Sequence, residues 1–189
     1  MKYKNKYRIE SARRVNWDYG SPVKYFITIN VRYHKCLFGK INKGIIELSV
    51  TGQIAEQCWL EIPEHFQNVK LDAYVIMPSH VHGILIITES EGKEGSSIVK
   101  ALNDNSRFLL TPHALKMSRI SPKPGSLPVI LGSYKSSVTK EIRKFEPKYE
   151  WQARYHDHII RDEREYQRIT EYIINNPKNW NDDEFFRKK

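Results

Sequence analysis

Cysteine and long apolar runs are both scarce in this chain of 189 residues. The two cysteines, Cys36 and Cys58, match neither a disulfide framework nor a CxxC zinc motif. No apolar run approaches the roughly 20 residues that a membrane-spanning helix needs. The basic N-terminal residues lack the apolar core of a signal peptide. We therefore expect a cytoplasmic protein without a membrane partner, and not a secreted disulfide scaffold.

What is present is the composition of a folded protein, with 40% hydrophobic and 12% aromatic residues. The length predicts one domain over residues 1–189. Residues 89–131 are rich in Gly, Ser, Pro and Glu, and this composition predicts a flexible insertion within that domain.

The net charge of +9 is concentrated in two segments. Lys and Arg greatly outnumber acids in residues 1–35 and 115–148, whereas the rest of the chain is near balance or slightly acidic. Two basic segments of this kind indicate a polyanionic partner such as nucleic acid. The alternative is that the high pI only aids solubility.

The most informative stretch is residues 73–87, an apolar run interrupted by His80 and His82. In an extended strand, residues i and i+2 point to the same face, so the two imidazoles would lie side by side. Two neighbouring imidazoles form half of a metal site. Taken alone, the pair is equally compatible with two polar residues on a solvent-exposed strand face.

Hydrophobic periodicity and turn residues predict the order of the other elements. Asp162 and Glu165 form a possible capping box before the last helix, which Pro177 ends, and Thr51 is a possible N-cap of the first. The order matches an α+β, ferredoxin-like β-α-β-β-α-β sandwich, an antiparallel sheet with helices on one face plus a C-terminal helix. The predicted strands are 25–33, 69–77, 81–88 and 151–160, and the predicted helices are 51–66 and 133–145. Residues 43–50 are either a short strand or the lead-in to the first helix.

Tyr172 and Asn176 lie four residues apart on that C-terminal helix and so share one face. A phenolate can attack phosphorus, and a divalent cation can polarise the phosphate oxygens. Two imidazoles and an amide oxygen suit Mg²⁺ or Mn²⁺. Three other interpretations stay open: Tyr172 is a core residue, Asn176 before Pro177 is only a cap, or Tyr134 is the nucleophile.

Together these motifs resemble a known family. Residues 77–83 (MPSHVHG) are similar to the histidine–hydrophobe–histidine motif of single-strand DNA endonucleases. Residues 171–177 (EYIINNP) resemble the tyrosine helix of IS200-like transposases, above all their REP-associated tyrosine transposase relatives. The similarity extends from about Tyr25 to Trp180, and also covers residues 133–140 and 156–161.

The resemblance implies that His80, His82 and Asn176 bind Mg²⁺ or Mn²⁺ and that Tyr172 is the nucleophile. It implies cleavage and rejoining of single-stranded, hairpin-containing DNA through a 5′-phosphotyrosine, in the nucleoid. IS200-like relatives act as dimers that exchange tyrosine helices, so a homodimer is one option for this chain.

Basic residues supply the predicted DNA contacts, and a second histidine pair remains without an assigned role. The contact candidates are Lys135, Lys140, Arg143, Lys144 and Arg14. Residues 156–158 (HDH) could orient a metal ligand, contact phosphate, or form a plain polar strand face.

Two rival functions remain open. A 2H-type phosphoesterase also places two histidine motifs on paired strands, although it uses His-x-Thr/Ser twice. A catalytically idle nucleic-acid-binding protein derived from a transposase is the other.

Overall fold

The computed structural model describes residues 17–89 and 122–180, together with the backbone of two short strands near the N-terminus. No helix in these ranges is long and apolar enough to cross a bilayer. A 3₁₀ turn, Arg32–His34, follows the third strand. In chain order the elements are β1 (Lys2–Tyr3), β2 (Lys6–Tyr7), β3 (Val23–Asn30), β4 (Gly39–Asn42), β5 (Ile45–Leu48), α1 (Val50–Leu60), α2 (Ile62–His65), β6 (Val69–Met77), β7 (His80–Ile87), α3 (Leu127–Ile142), β8 (His156–Ile160) and α4 (Glu163–Asn175).

Four strands form the main sheet in the order β6-β7-β3-β8, and every neighbouring pair is antiparallel. The first and third strands of this set occupy the centre, which is the ferredoxin-like arrangement. The predicted fold class is therefore confirmed. The strand that carries His80 and His82 is an inner strand, so both of its edges are paired.

One face of the sheet packs against α1 and α3. Trp59 of α1 is fully buried and meets Tyr134 of α3 edge to face, with ring centroids 5.3 Å apart. The indole also lies directly on Gly83 of β7, where a Cβ atom would come within 2.3 Å of the ring. Gly83 thus permits the closest approach of helix and sheet behind the histidine pair.

Among the helices of the described chain, α4 is the one that packs against the opposite face. Ile169 and Ile173 of this helix form a second apolar cluster with Ile84 of β7 and Ile160 of β8. The Asp162 carboxylate caps the helix by accepting from the backbone N–H of Glu165, but the Glu165 carboxylate accepts from the Arg161 N–H, so only half of the predicted capping box forms. Because of the strand alternation, His80 and His82 project to the same face as Ile84, the face that α4 covers.

The largest difference from the predicted boundaries is at the start of α3. Helix α3 begins at Leu127, inside the segment predicted as a flexible insertion, and Leu127, Ile130 and Leu131 are buried. Pro128 stands in the first helical turn, where proline is tolerated, so part of the Pro-rich signal marks a helix start. Residues 90–121 of the predicted insertion lie outside the described residues.

The other differences are local. Ser49, not Thr51, is the N-cap of α1, and its side chain accepts from the Gly52 N–H. The Thr51 hydroxyl instead donates to the carbonyl of Leu37. Strand β8 starts only at His156, and Trp151 makes a single bridge to Val31.

Candidate active site

The two imidazoles of β7 lie beside each other in the interior. Their ring centroids are 4.4 Å apart, and the residues are 0% and 2% exposed for His80 and His82 respectively. Burial penalises the charged form and lowers the pKa of both, that of His82 to about 3. Both rings are therefore neutral at physiological pH, which is the form that binds metal.

Strand β3 orients the His82 ring. Thr28 stands directly opposite His82 in the register, and its Oγ1 lies 2.9 Å from Nδ1 of the imidazole. Phe26, two residues earlier, stacks against the same ring with centroids 5.4 Å apart. Nδ1 is thus occupied by the hydroxyl, and Nε2 is the nitrogen that faces α4.

Tyr172 of α4 reaches this nitrogen. Its hydroxyl oxygen lies 3.3 Å from Nε2 of His82 in the same chain, and its ring meets Phe26 edge to face at 6.0 Å. Tyr172 is 45% exposed, whereas Ile169 and Ile173 fill the core. The interpretation of Tyr172 as a core residue is therefore wrong.

Tyr134 is excluded as the rival nucleophile. Its side chain is 2% exposed, and its hydroxyl donates to the carbonyl oxygen of Ala55 at 3.1 Å. Burial also raises the pKa of this phenol well above its ordinary value. Tyr134 is a core residue on the sheet face that packs against α1 and α3.

Asn176 lies one turn beyond Tyr172. Despite the following Pro177, its backbone is helical (φ −55°, ψ −42°) and its N–H donates to the Ile173 carbonyl. The residue therefore continues the helix and keeps its side chain on the Tyr172 face. It is 3% exposed, and its Oδ1 has no hydrogen-bond partner among the described residues.

Asn30 of β3 presents a second amide oxygen of this kind. It stands opposite His80 in the register, and its Oδ1 is likewise buried without a hydrogen-bond partner in the described ranges. Neither Thr28 nor Asn30 was predicted from the sequence. The signal that could have found them is the alternation of polar residues with Ile27 and Ile29 in an otherwise apolar strand.

These donors fit a divalent cation in chemical type. The described residues contain no group of three or more His, Cys, Asp or Glu side chains suited to a metal. The candidate set is instead two neutral imidazoles with an amide oxygen from Asn176. Burying an amide oxygen without a partner is unfavourable, so the burial of the Asn176 Oδ1, one helical turn beyond Tyr172, favours a ligand role.

The site opens into a cleft of about 600 Å³, here called the tyrosine cleft. Strands β3, β7 and β8 form its floor, and α4 forms one wall. Its lining residues are Phe26, Thr28, Asn30, His82, His156, His158, Arg168, Ile169 and Tyr172. The second histidine pair, without an assigned role in the sequence, thus lies in the same cleft as His82 of the first pair.

The predicted DNA-contact residues in and just after α3 differ in the contacts that their side chains make. Lys135 donates through Nζ to the Gln152 carbonyl at 2.8 Å, and Arg143 donates through Nε to the Tyr149 carbonyl at 3.0 Å. Lys144 pairs with Glu141. Lys140 lines a groove together with Lys135 and Arg143. Arg14 lies outside the described residues.

Fold and site together define a ferredoxin-like α+β protein whose sheet presents paired histidines to a tyrosine on the last described helix. No protein-family model matches the sequence. An uncharacterized protein of Haemophilus influenzae is 38% identical over 178 residues, which is 93% of this chain and 92% of that protein. The chain belongs to the same family as that protein.

Two solved structures are similar to this one. A REP-associated tyrosine transposase bound to a REP hairpin has a TM-score of 0.54 and 18% identity, over 89% of this chain and 73% of that one. A putative transposase from Deinococcus radiodurans has a TM-score of 0.44 and 14% identity, over 88% and 97% of the two chains. The first similarity establishes a shared fold, and the second is too weak to support a conclusion.

Proposed function

We propose that this protein is a metal-dependent, single-stranded DNA endonuclease and transposase that works through a 5′-phosphotyrosine intermediate. Its expected substrate is a hairpin-forming, REP-like repeat. The observation that carries the proposal is the 3.3 Å approach of the Tyr172 hydroxyl to Nε2 of His82 at an open cleft. A half-exposed phenol beside two neutral imidazoles that can bind a metal ion is well placed for nucleophilic attack on phosphate.

The chemistry of His82 favours a ligand over a general base. An imidazole with a pKa of about 3 is a weak proton acceptor at neutral pH. His80, His82 and Asn176 would hold the cation, Mg²⁺ or Mn²⁺. When bound, such a cation withdraws charge from the non-bridging phosphate oxygens. Thr28 would keep the His82 ring in its ligating orientation.

A single chain brings the reacting groups together. Tyr172 contacts His82 of its own chain, and this contact supports a reaction within one subunit. The 3′-hydroxyl released by attack of Tyr172 can later attack the phosphotyrosine, which rejoins DNA without ATP. The REP hairpin held by the structural neighbour motivates hairpin-bearing DNA as the first substrate to test.

Covalent trapping tests the proposal. The full chain is incubated with Mn²⁺ and single strands that combine a hairpin with a randomised flank. We expect a DNA-linked protein whose adduct maps to Tyr172 by mass spectrometry. Tyr166→Phe is the matched control, because this tyrosine lies on the same helix but donates to Asp72 at 2.6 Å. An adduct that persists in Tyr172→Phe would reject the assignment.

The metal assignment has its own test. His80→Ala should lose Mn²⁺ binding, measured by calorimetry, together with cleavage. His65→Ala, which changes an exposed histidine of α2, should retain both. Thermal melting of each variant separates loss of ligand from loss of fold. Undiminished turnover in EDTA would exclude the cation from the reaction.

The rival functions predict different outcomes of the same assays. The location of His156 and His158 in the tyrosine cleft favours the 2H phosphoesterase as the second candidate. That enzyme would hydrolyse phosphodiesters without a covalent adduct and without need of Tyr172. An idle binding protein would retain the hairpin strand and neither cleave it nor become attached to it.

A further inference from the structure

The second histidine pair contains one imidazole that is held by a carboxylate. Nε2 of His158 lies 2.8 Å from Oε1 of Glu165, and Oε2 of the same carboxylate accepts the Arg161 backbone N–H at 3.0 Å. Both carboxylate oxygens are therefore engaged, and Asp162 caps the backbone N–H of Glu165. The hydrogen bonds from Arg161 and His158 lower the pKa of Glu165, so the carboxylate is ionised beside the ring.

His158 shares the tyrosine cleft with the proposed nucleophile. It stands opposite Phe26 in the β3–β8 register, and the Phe26 ring contacts both His82 and Tyr172. Strands β7 and β8 flank β3, and His82 lies directly across from Thr28 and His156, while His158 lies two residues further along β8, so His82 and His158 are roughly 12 Å apart. That gap leaves room for a phosphate between Tyr172, on the β7 side, and His158, on the β8 side.

From this geometry we propose that His158 is the general acid that protonates the departing 3′-oxygen of the DNA, with Glu165 as the residue that positions it. The inference rests on the proposed cleavage through Tyr172. In phosphoryl transfer the attacking and leaving oxygens lie roughly in line. A phosphate attacked from the β7 side would therefore expel its 3′-oxygen toward β8.

Cleavage and rejoining each exchange one phosphorus–oxygen bond for another and transfer two protons. The Tyr172 oxygen forms a bond to phosphorus and its proton passes to solvent water, while the bond from phosphorus to the 3′-oxygen breaks. The His158 imidazolium gives its proton to that oxygen, which leaves as a hydroxyl. In rejoining, neutral His158 takes the proton from the attacking 3′-hydroxyl, and the departing Tyr172 oxygen regains a proton from solvent.

Two neighbours in the cleft suit this role less well. Arg168 lies 3.8 Å from Glu165 and is 75% exposed at the side chain, but a guanidinium does not release its proton in proteins. His156 stands opposite Thr28 and is exposed. Of the two β8 imidazoles in the described chain, it is His158 that has the carboxylate partner.

The test changes the leaving group. Full-length protein is assayed on a hairpin-bearing strand cleaved by the wild type, and on the same strand with sulfur in place of the bridging 3′-oxygen at the cleaved phosphate. A thiolate leaves without protonation. His158→Gln should lose about 100-fold in adduct formation on the oxygen strand, and this loss should fall to a few-fold on the sulfur strand.

Three variants complete the experiment. Glu165→Gln should show a smaller loss that sulfur also restores, because it removes the charge and keeps the side-chain shape. His156→Gln and Arg168→Gln are matched controls whose losses, if any, should be equal on both strands. Hairpin binding by fluorescence anisotropy and thermal melting verify that each variant is folded and binds DNA.

Each outcome either supports or overturns the assignment of His158 as the general acid. Equal losses of His158→Gln on both strands, or no loss, would overturn the proposal, as would sulfur rescue that occurs in His156→Gln or Arg168→Gln instead. A wild type that forms no adduct with either strand would reject the proposed function itself. A wild type that cleaves, with His158→Gln insensitive to sulfur, would reject only the general acid.

Discussion

Helices α1 and α3 close one face of the four-stranded sheet. In the described part of the chain, α4 covers part of the other face. The closed face holds the large buried aromatics, with Trp59, Tyr134 and Tyr149 all at 2% exposure or less. The partly covered face holds four histidines and an exposed tyrosine. The same strands therefore contribute packing on one side and polar chemistry on the other.

This difference shows how the protein tolerates buried polar groups. Burying polar groups costs free energy, and His80, His82 and Asn176 are all buried, with Thr28 and Tyr172 as hydrogen-bond partners of His82 and Ser79 as that of His80. Their cost is offset by the apolar cluster behind them, where Trp59 packs directly on Gly83, the residue that follows His82. We expect mutations on the two faces to separate accordingly into losses of stability and losses of activity.

The largest expected effect is on the cleft face. Tyr172→Phe should reduce adduct formation below detection, because the attacking oxygen is removed. The free energy of unfolding should change by about 1 kcal/mol or less, because the ring keeps its contact with Phe26 and only the 3.3 Å contact of the hydroxyl with His82 is lost. Urea denaturation checks the second part, and a large destabilisation would contradict the separation of the two faces.

The next effect is on the closed face. Trp59→Ala should lower the free energy of unfolding by about 3–5 kcal/mol, because it leaves a cavity between α1 and β7. Ile174→Ala is the control, since Ile174 is 63% exposed on α4. Urea unfolding curves measure both. A small effect of Trp59→Ala would show that this face does not dominate stability.

A smaller effect follows from the bond between the two central strands. Thr28→Val removes the hydroxyl that holds Nδ1 of His82 and nearly conserves volume. Metal affinity should fall about 10- to 100-fold, as for other groups that orient a metal-binding histidine. Calorimetric titration with Mn²⁺ measures it. Thr170→Val is the isosteric control, because Thr170 lies on α4 but does not line the tyrosine cleft.

The smallest effect concerns DNA binding by α3. Hairpin binding should weaken steeply with salt, and Lys140→Ala should reduce the slope of log K against log salt by about 1 if Lys140 contacts one phosphate. Lys70→Ala, an exposed lysine of β6, should leave the slope unchanged. Fluorescence anisotropy across a salt series measures both. A flat salt response of the wild type would reject the phosphate contacts altogether.

Much of the site was predictable because it depends on local periodicity. The two-residue spacing of His80 and His82 placed both on one strand face, and the four-residue spacing of Tyr172 and Asn176 placed both on one helix face. The alternation of residues within apolar strands also predicted the fold class. Two predictions drawn from proline were wrong. Pro128 begins a helix instead of lying in a flexible insertion, and Asn176 is helical although Pro177 follows it.

Residue spacing fixes which side chains share a face, because strand and helix periods are properties of the backbone. Which faces meet is a property of the folded chain. The crossing of α4 over the sheet brings Tyr172 to His82, and the pairing of β3 with both β7 and β8 places Thr28, Phe26 and His158 around them. Contacts between residues far apart in the chain depend on packing, which local patterns do not encode.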